Sequence, residues 1–185
     1  MKKKQRFLFA LLMAIVMMAM SPMRAWAQEA DPRMAVFDKL EGVTATFEDE
    51  GDYPWGLTKY HGFDALMNTN QGKDGTTSTT TIKLACDQTI RLHFAYKTAS
   101  EAPGDYLIIS VDGNEVVNSL DAEPDEDGIT TVVGNYASLL HANANGHTIT
   151  MSYIKNDNSS SGGDDYGFIY IIQAYTHQHY YKVTS

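Results

Sequence analysis

From Val43 onward the chain changes to a period of two. Thr44-Ala45-Thr46-Phe47-Glu48 alternates and is closed by Asp49-Glu50-Gly51-Asp52. Ser78 to Leu84 places Thr80, Ile82 and Leu84 on one face. Ile90, Leu92, Phe94 and Tyr96 then alternate with Arg91, His93, Ala95 and Lys97. Strict alternation of this kind predicts half-buried strands. Asp105 to Val111 follows, with Leu107, Ile109 and Val111 to one side. Asp112-Gly113-Asn114 is read as a hairpin turn, since these residues tolerate the positive φ such turns need. Glu115-Val116-Val117, Ile129 to Val133, His147 to Lys155 and Tyr166 to Ala174 bring the count to about eight strands. No segment of the body sustains a helical apolar period. Short strands divided by Asp/Gly/Asn/Ser turns predict a β-sandwich or barrel. Phe94, Tyr96, Leu107, Ile109, Ile149, Met151, Tyr153, Phe168 and Ile171 are the expected core.

Before this body the pattern is different. Lys2-Lys3-Lys4-Gln5-Arg6 precedes an unbroken apolar run from Phe7 to Met20, and Ala25-Trp26-Ala27 supplies small residues at a cleavage site. Residues 1–27 are therefore read as a secretory signal peptide, with the mature chain starting at Gln28. The run is too short to span a bilayer, and no later segment is apolar enough to hold the mature chain in a membrane. Residues 28–42 are expected to be an N-terminal lead, 43–175 the β-sandwich domain, and 176–185 a C-terminal linker. Tyr180-Tyr181-Lys182-Val183 begins a fresh alternating run, read either as the entry to a missing downstream region or as a strand pairing back onto the sheet.

Charge narrows the function. The sequence has 14 Lys+Arg and 23 Asp+Glu. Five of the bases lie in residues 1–27 and none of the acids, so the body carries nine bases against 23 acids, a net charge of -14. Such a body repels phosphate backbones and excludes nucleic acid as a partner. One cysteine, Cys86, excludes an intramolecular disulfide framework or a multi-cysteine metal site. With only Ala85 and Asp87 as neighbours, Cys86 is read as a buried, inert thiol.

The order of motifs from Ser78 to Ile172 carries a resemblance. Leu92-His93-Phe94-Ala95-Tyr96-Lys97 is followed by Ser100-Glu101, a Pro-Gly loop, and Asp105-Tyr106-Leu107-Ile108-Ile109-Ser110-Val111-Asp112-Gly113. Then come Gly146-His147-Thr148-Ile149-Thr150-Met151-Ser152-Tyr153-Ile154-Lys155, a Ser/Gly loop, and Asp164-Asp165-Tyr166-Gly167-Phe168-Ile169-Tyr170-Ile171-Ile172. About half the chain thus resembles the MAM-like and gingipain-adhesin-like jelly-roll modules of Bacteroidetes-type surface and secreted proteins. The resemblance implies an all-β, two-sheet antiparallel β-sandwich of jelly-roll type after a cleaved signal peptide. It also implies a non-catalytic adhesin-like recognition module, secreted or at the cell surface, binding carbohydrate or protein. An ancillary domain of a truncated exported hydrolase, or a structural spacer, is the alternative.

Candidate chemistry is sparse. There is no Gly-x-Ser-x-Gly, no His-Glu-x-x-His and no phosphate-cradling glycine loop, so no enzyme is expected. His177 and His179 share a strand face but lack a visible third ligand. Acidic loops offer hard oxygen ligands, which makes calcium the cofactor to consider, at Asp112, Asp164 and Asp165. Tyr53-Pro54-Trp55-Gly56-Leu57 and Tyr60-His61-Gly62-Phe63 lie in a stretch read as loop-rich. Tyr53, Trp55 and Tyr60 are the candidate ligand-binding residues, the rival reading being that Trp55 plugs one end of the sandwich.

Overall fold

A computed structural model describes residues 30–101, 103–157 and 165–177. The proposed signal peptide, Asp164, His179 and the Tyr180–Val183 run lie outside the described residues. Among the described residues, eleven strands build two sheets. The first sheet contains β1 (Phe37–Glu41), β3 (Gly56–Tyr60), β4 (Phe63–Met67), β6 (Ile90–Glu101), β9 (Ile129–Leu140) and β11 (Tyr166–Thr176), in the order β3-β4-β11-β6-β9 with β1 beside β11. The second sheet is β2-β5-β10-β7-β8, formed by Thr44–Glu50, Thr77–Ala85, His147–Ile154, Tyr106–Val111 and Asn114–Asn118. All pairings are antiparallel except β1 with β11, which is parallel. From β4 onward the chain repeatedly crosses between the sheets, so each core layer is built from residues distant in sequence. The fold is the two-sheet antiparallel β-sandwich that the strand pattern predicts.

Alternation decides what is inside. Ile82 and Leu84 of β5, Leu107 and Ile109 of β7, and Ile149, Met151 and Tyr153 of β10 are fully buried, facing Ile90, Leu92 and Phe94 of β6. Each such side chain removed from water contributes roughly 1.5–3 kcal/mol. The Tyr153 hydroxyl lies 2.9 Å from Ser100 Oγ, which satisfies the one polar atom of that ring in the interior. At the predicted hairpin, Asp112 and Gly113 have φ of 51° and 75°, the left-handed pair that a tight two-residue turn requires. Cys86 is half-buried and packs against the core. His93, on the polar side of the β6 alternation, is half-buried with its Nδ1 atom inaccessible.

Three expectations are corrected. Residues 37–41, assigned to an N-terminal lead, form β1 and pair with β11 from Phe37–Ile172 to Glu41–Tyr175. The stretch read as loop-rich is the β3–β4 hairpin, turned at His61 and Gly62, both with positive φ (48° and 88°). Phe168 and Ile171, expected in the core, are not buried; Ile169 and Ile172 are. Phe168 alternates outward between buried Gly167 and Ile169, and Ile171 is displaced by a β-bulge, since Tyr170 pairs with Ala95 while Gln173 pairs with His93. One extra residue therefore sits in β11, and Ile171 occupies it at a φ of 53°, a costly conformation for a β-branched side chain. Among the described residues no helix is long and apolar enough to cross a membrane.

Candidate functional site

The outward surface of the first sheet is aromatic. Tyr166, Phe168 and Tyr170 alternate with buried Gly167 and Ile169, so their rings share the side of β11 away from the core. Tyr60, from the end of β3, reaches across to them: its ring stacks on Phe168 with centroids 4.9 Å apart and lies 5.0 Å from Tyr170. Tyr166 meets Phe168 at 4.9 Å. The rings can lie across the sheet because their neighbours on this face are small. Ala95 and Ala99 stand opposite Tyr170 and Tyr166, and Ala65 stands opposite Tyr170 on the other side. All three alanines are buried although they belong to the outer surface. The result is a half-exposed tier of four rings over a floor of methyl groups.

This platform continues on both sides. Phe63, paired with Tyr60, is 52% exposed. Across β6, Val133 stands opposite Lys97 and is 63% exposed, and exposed Leu139 stands opposite Arg91. Apolar surface is thus exposed on this face on both sides of the ring tier. Lys97 rises among the rings. Its ammonium lies 5.6 Å from the Tyr60 ring centre and 5.4 Å from that of Tyr166. A hydrogen bond to Tyr166 holds its pKa above the ordinary lysine value, against the opposing effect of burial. The pKa of Tyr170 is raised, first by burial and then by the neighbouring Tyr60. Next to the platform, where β4 and β1 share one edge of β11, a notch of about 170 Å3 is lined by Val36, Asp38, Phe63, Asp64 and Ile171.

Of the three predicted ligand-binding residues, Tyr60 alone stands on this platform. Trp55 is 1% exposed and plugs the sandwich. Its Nε1 donates to the Ser78 carbonyl at 3.0 Å, and its backbone N–H donates to Thr80 Oγ1 at 2.9 Å. A Cβ on Gly167 would come within 3.2 Å of the Trp55 ring and within 3.2 Å of Tyr153, so a side chain there would crowd both rings. Tyr53 is half-buried in the link between β2 and β3, and among the described residues no ring contact joins it to Tyr60. The pattern in sequence missed Tyr166, Phe168 and Tyr170. Their period of two was visible, but the strand around them is apolar at almost every position.

Asp112 and Asp165, two of the carboxylates considered for calcium, stand at opposite ends of the β7–β10 pair. Asp112 accepts from Thr148 N–H at 2.9 Å and lies 2.8 Å from His147 Nδ1, closing the β7–β8 turn onto β10. Asp165 is at the other end of the β7–β10 pair, where it and Asp105 hold the buried Lys155 ammonium, Asp105 at 2.8 Å. Burial pulls the Lys155 pKa down, but the two carboxylates outweigh it and leave it raised. Among the described residues no group of three or more His, Cys, Asp and Glu side chains gathers as a metal site requires.

No protein-family model matches the sequence, and no curated protein does. Among solved structures, 78% of the chain is similar to part of the secreted serine protease VesC from Vibrio cholerae, at 13% identity and a TM-score of 0.50. That match spans 27% of the protease chain, about a quarter. A carbohydrate-binding module, TmCBM61, in complex with β-1,4-galactotriose aligns with 74% of this chain and 91% of its own, at 11% identity and a TM-score of 0.38. A family 35 carbohydrate-binding module from Clostridium thermocellum aligns with 69% of this chain and 90% of its own, at 14% identity and a TM-score of 0.28. At these identities, what the chain has in common with part of the protease is its fold.

Proposed function

We propose that this chain is an exported, non-catalytic recognition module whose open sheet face binds carbohydrate. The observation that carries the reading is the half-exposed tier of Tyr60, Tyr166, Phe168 and Tyr170. A pyranose ring presents a face of C–H groups, and aromatic side chains cover such a face with large area at little cost in side-chain freedom. Polar edges are needed as well, and the phenol hydroxyls and Gln173 supply them. Two carboxylates at the margin are already engaged, Asp38 by Gln173 at 2.6 Å and Asp64 by Lys59 at 2.8 Å. That suits a surface that holds a ligand rather than one that transfers protons. The resemblance of Ser78–Ile172 to adhesin-like modules supports the same reading, and the signal pattern of residues 1–27 supports export.

The test is binding of the purified protein to a panel of soluble and insoluble polysaccharides, with Tyr60→Ala and Phe168→Ala beside the parent. Each substitution is expected to weaken binding by about tenfold or more, while the melting temperature stays near that of the parent. Failure to bind any member of the panel would overturn the reading. So would undiminished binding by both variants.

A further inference from the structure

The middle of the open face has the wrong sign of charge for this protein. Beyond residue 27 acids outnumber bases 23 to nine, yet the outward positions of β6 from Arg91 to Ala99 are Arg91, His93, Ala95, Lys97 and Ala99. Those of β11 are Tyr166, Phe168, Tyr170, Gln173 and Tyr175, and those of β9 from Thr131 to Leu139 are Thr131, Val133, Asn135, Ala137 and Leu139. Three basic side chains, Arg91, His93 and Lys97, stand at these positions and no carboxylate; the carboxylates nearest to them in the pairing are at the margins, Glu101 at the end of β6 and Glu41 of β1 opposite Tyr175. The outer face of the second sheet has a different character: Thr79 meets Ser152, Thr81 meets Thr150, and Glu48 meets Lys83.

Lys97 is the centre of this anomaly. Lys39, Lys59, Lys83 and Lys155 each have a carboxylate within ion-pair distance, and among the described residues Lys73, exposed in the loop between β4 and β5, has none. No carboxylate of the described residues is so placed against Lys97. Its ammonium meets the hydroxyl of Tyr166 and the π-systems of Tyr166 and Tyr60, which supply hydrogen bonding without a countercharge. A lysine stem lying over aromatic rings is common in itself. That does not account for a cation set without an anion in the middle of the exposed rings, on a body rich in acids. Arg91 lies on the same strand face, about 20 Å from Lys97 at the usual rise per residue, and His93 lies between them.

We propose that the platform selects an anionic glycan, bearing carboxylate or sulfate groups, with Lys97 pairing with the anionic group while the rings take the sugar face. An extended polymer running along β6 would meet His93 and Arg91 next. The inference rests on the carbohydrate reading above and deepens it.

The experiment compares matched polymers: a set of acidic polysaccharides, each beside its carboxyl-reduced and its desulfated derivative. The parent protein is expected to bind the acidic form about tenfold or more tightly than its neutral derivative, and to weaken as salt is raised. Which derivative loses affinity identifies the anion. Lys97→Gln keeps an N–H donor for Tyr166 without the charge. It should lower the affinity for the acidic polymer to that for the neutral one and leave the neutral one unchanged, while Lys97→Arg retains the preference. Equal binding of acidic and neutral forms by the parent would overturn this proposal and leave the carbohydrate reading standing. Equal weakening of both forms by Lys97→Gln would make Lys97 a prop for the rings and would also overturn it. If no polysaccharide binds, the carbohydrate reading fails and this proposal goes with it.

Discussion

Trp55 fills the end of the sandwich because its surroundings are small or polar in the right places. Gly167 leaves room for the six-membered ring, Ser78 offers a carbonyl to the indole N–H, and Thr80 caps the backbone. Thr80 in turn donates to Asp49 at 2.8 Å, and Asp49 is held by Arg33, whose guanidinium also lies 4.5 Å from the Phe47 ring centre. An aromatic residue beside Pro54 and Gly56 has the local look of a binding loop; only the partners contributed by β5 and β11 make it a plug. Trp55→Ala should therefore destabilise the protein by about 3–5 kcal/mol. Trp55→Phe should cost less, roughly 1–3 kcal/mol, chiefly for the orphaned Ser78 carbonyl and the lost ring. Urea midpoints check the order, and a parent-like midpoint for Trp55→Ala would show that the ring is not packed. Tyr60 is the opposite case: its neighbours are other half-exposed rings, and its loss should register in binding.

At the scale of elements, the strands with clean alternation were legible and the others were not, each for a definite reason. β6 and β10 are flanked by partners on both edges and have one polar face, so the period of two is plain. β1 has no such period, because its pairing slips between Phe37 and Lys39 and leaves Asp38 as an extra residue. The β3–β4 turn is hard to see because His61 occupies a left-handed position usually marked by Asn, Asp or Gly. β11 is apolar almost throughout, and its bulge resets the alternation midway. Without Ile171 the sequence Tyr170-Ile172-Gln173-Ala174-Tyr175 would alternate regularly, with Ile172 and Ala174 inward as they already are. Deleting Ile171 is therefore expected to leave a folded, β-rich protein by circular dichroism. It should close the notch between β1 and β4, since the bend that lets both strands share one edge of β11 would be lost. A chain that fails to fold after this deletion would show that the bulge is required for the sheet itself.

At the scale of the whole molecule, the sandwich core was readable and the proposed binding face was not, because the two are specified differently. The core is written as alternation within single strands. The platform brings Tyr60 of β3, Lys97 of β6 and Phe168 of β11 together across pairings between segments far apart in the chain, and no local pattern announces it. The same topology has a mechanical consequence. β1 and β11 are the first and last strands of the described residues, and they are parallel neighbours. Tension applied to the two ends of the body pulls them in opposite directions along their shared edge. The load then falls on all their hydrogen bonds at once, in shear, rather than opening them one at a time as in a pulled hairpin. In single-molecule force spectroscopy, attachment at residues 36 and 177 is expected to require a higher rupture force than attachment at 56 and 67, across the β3–β4 hairpin. Equal forces would show that the β1–β11 pair is no clamp. With such a clamp, a module holding a surface ligand against flow would transmit load without unravelling.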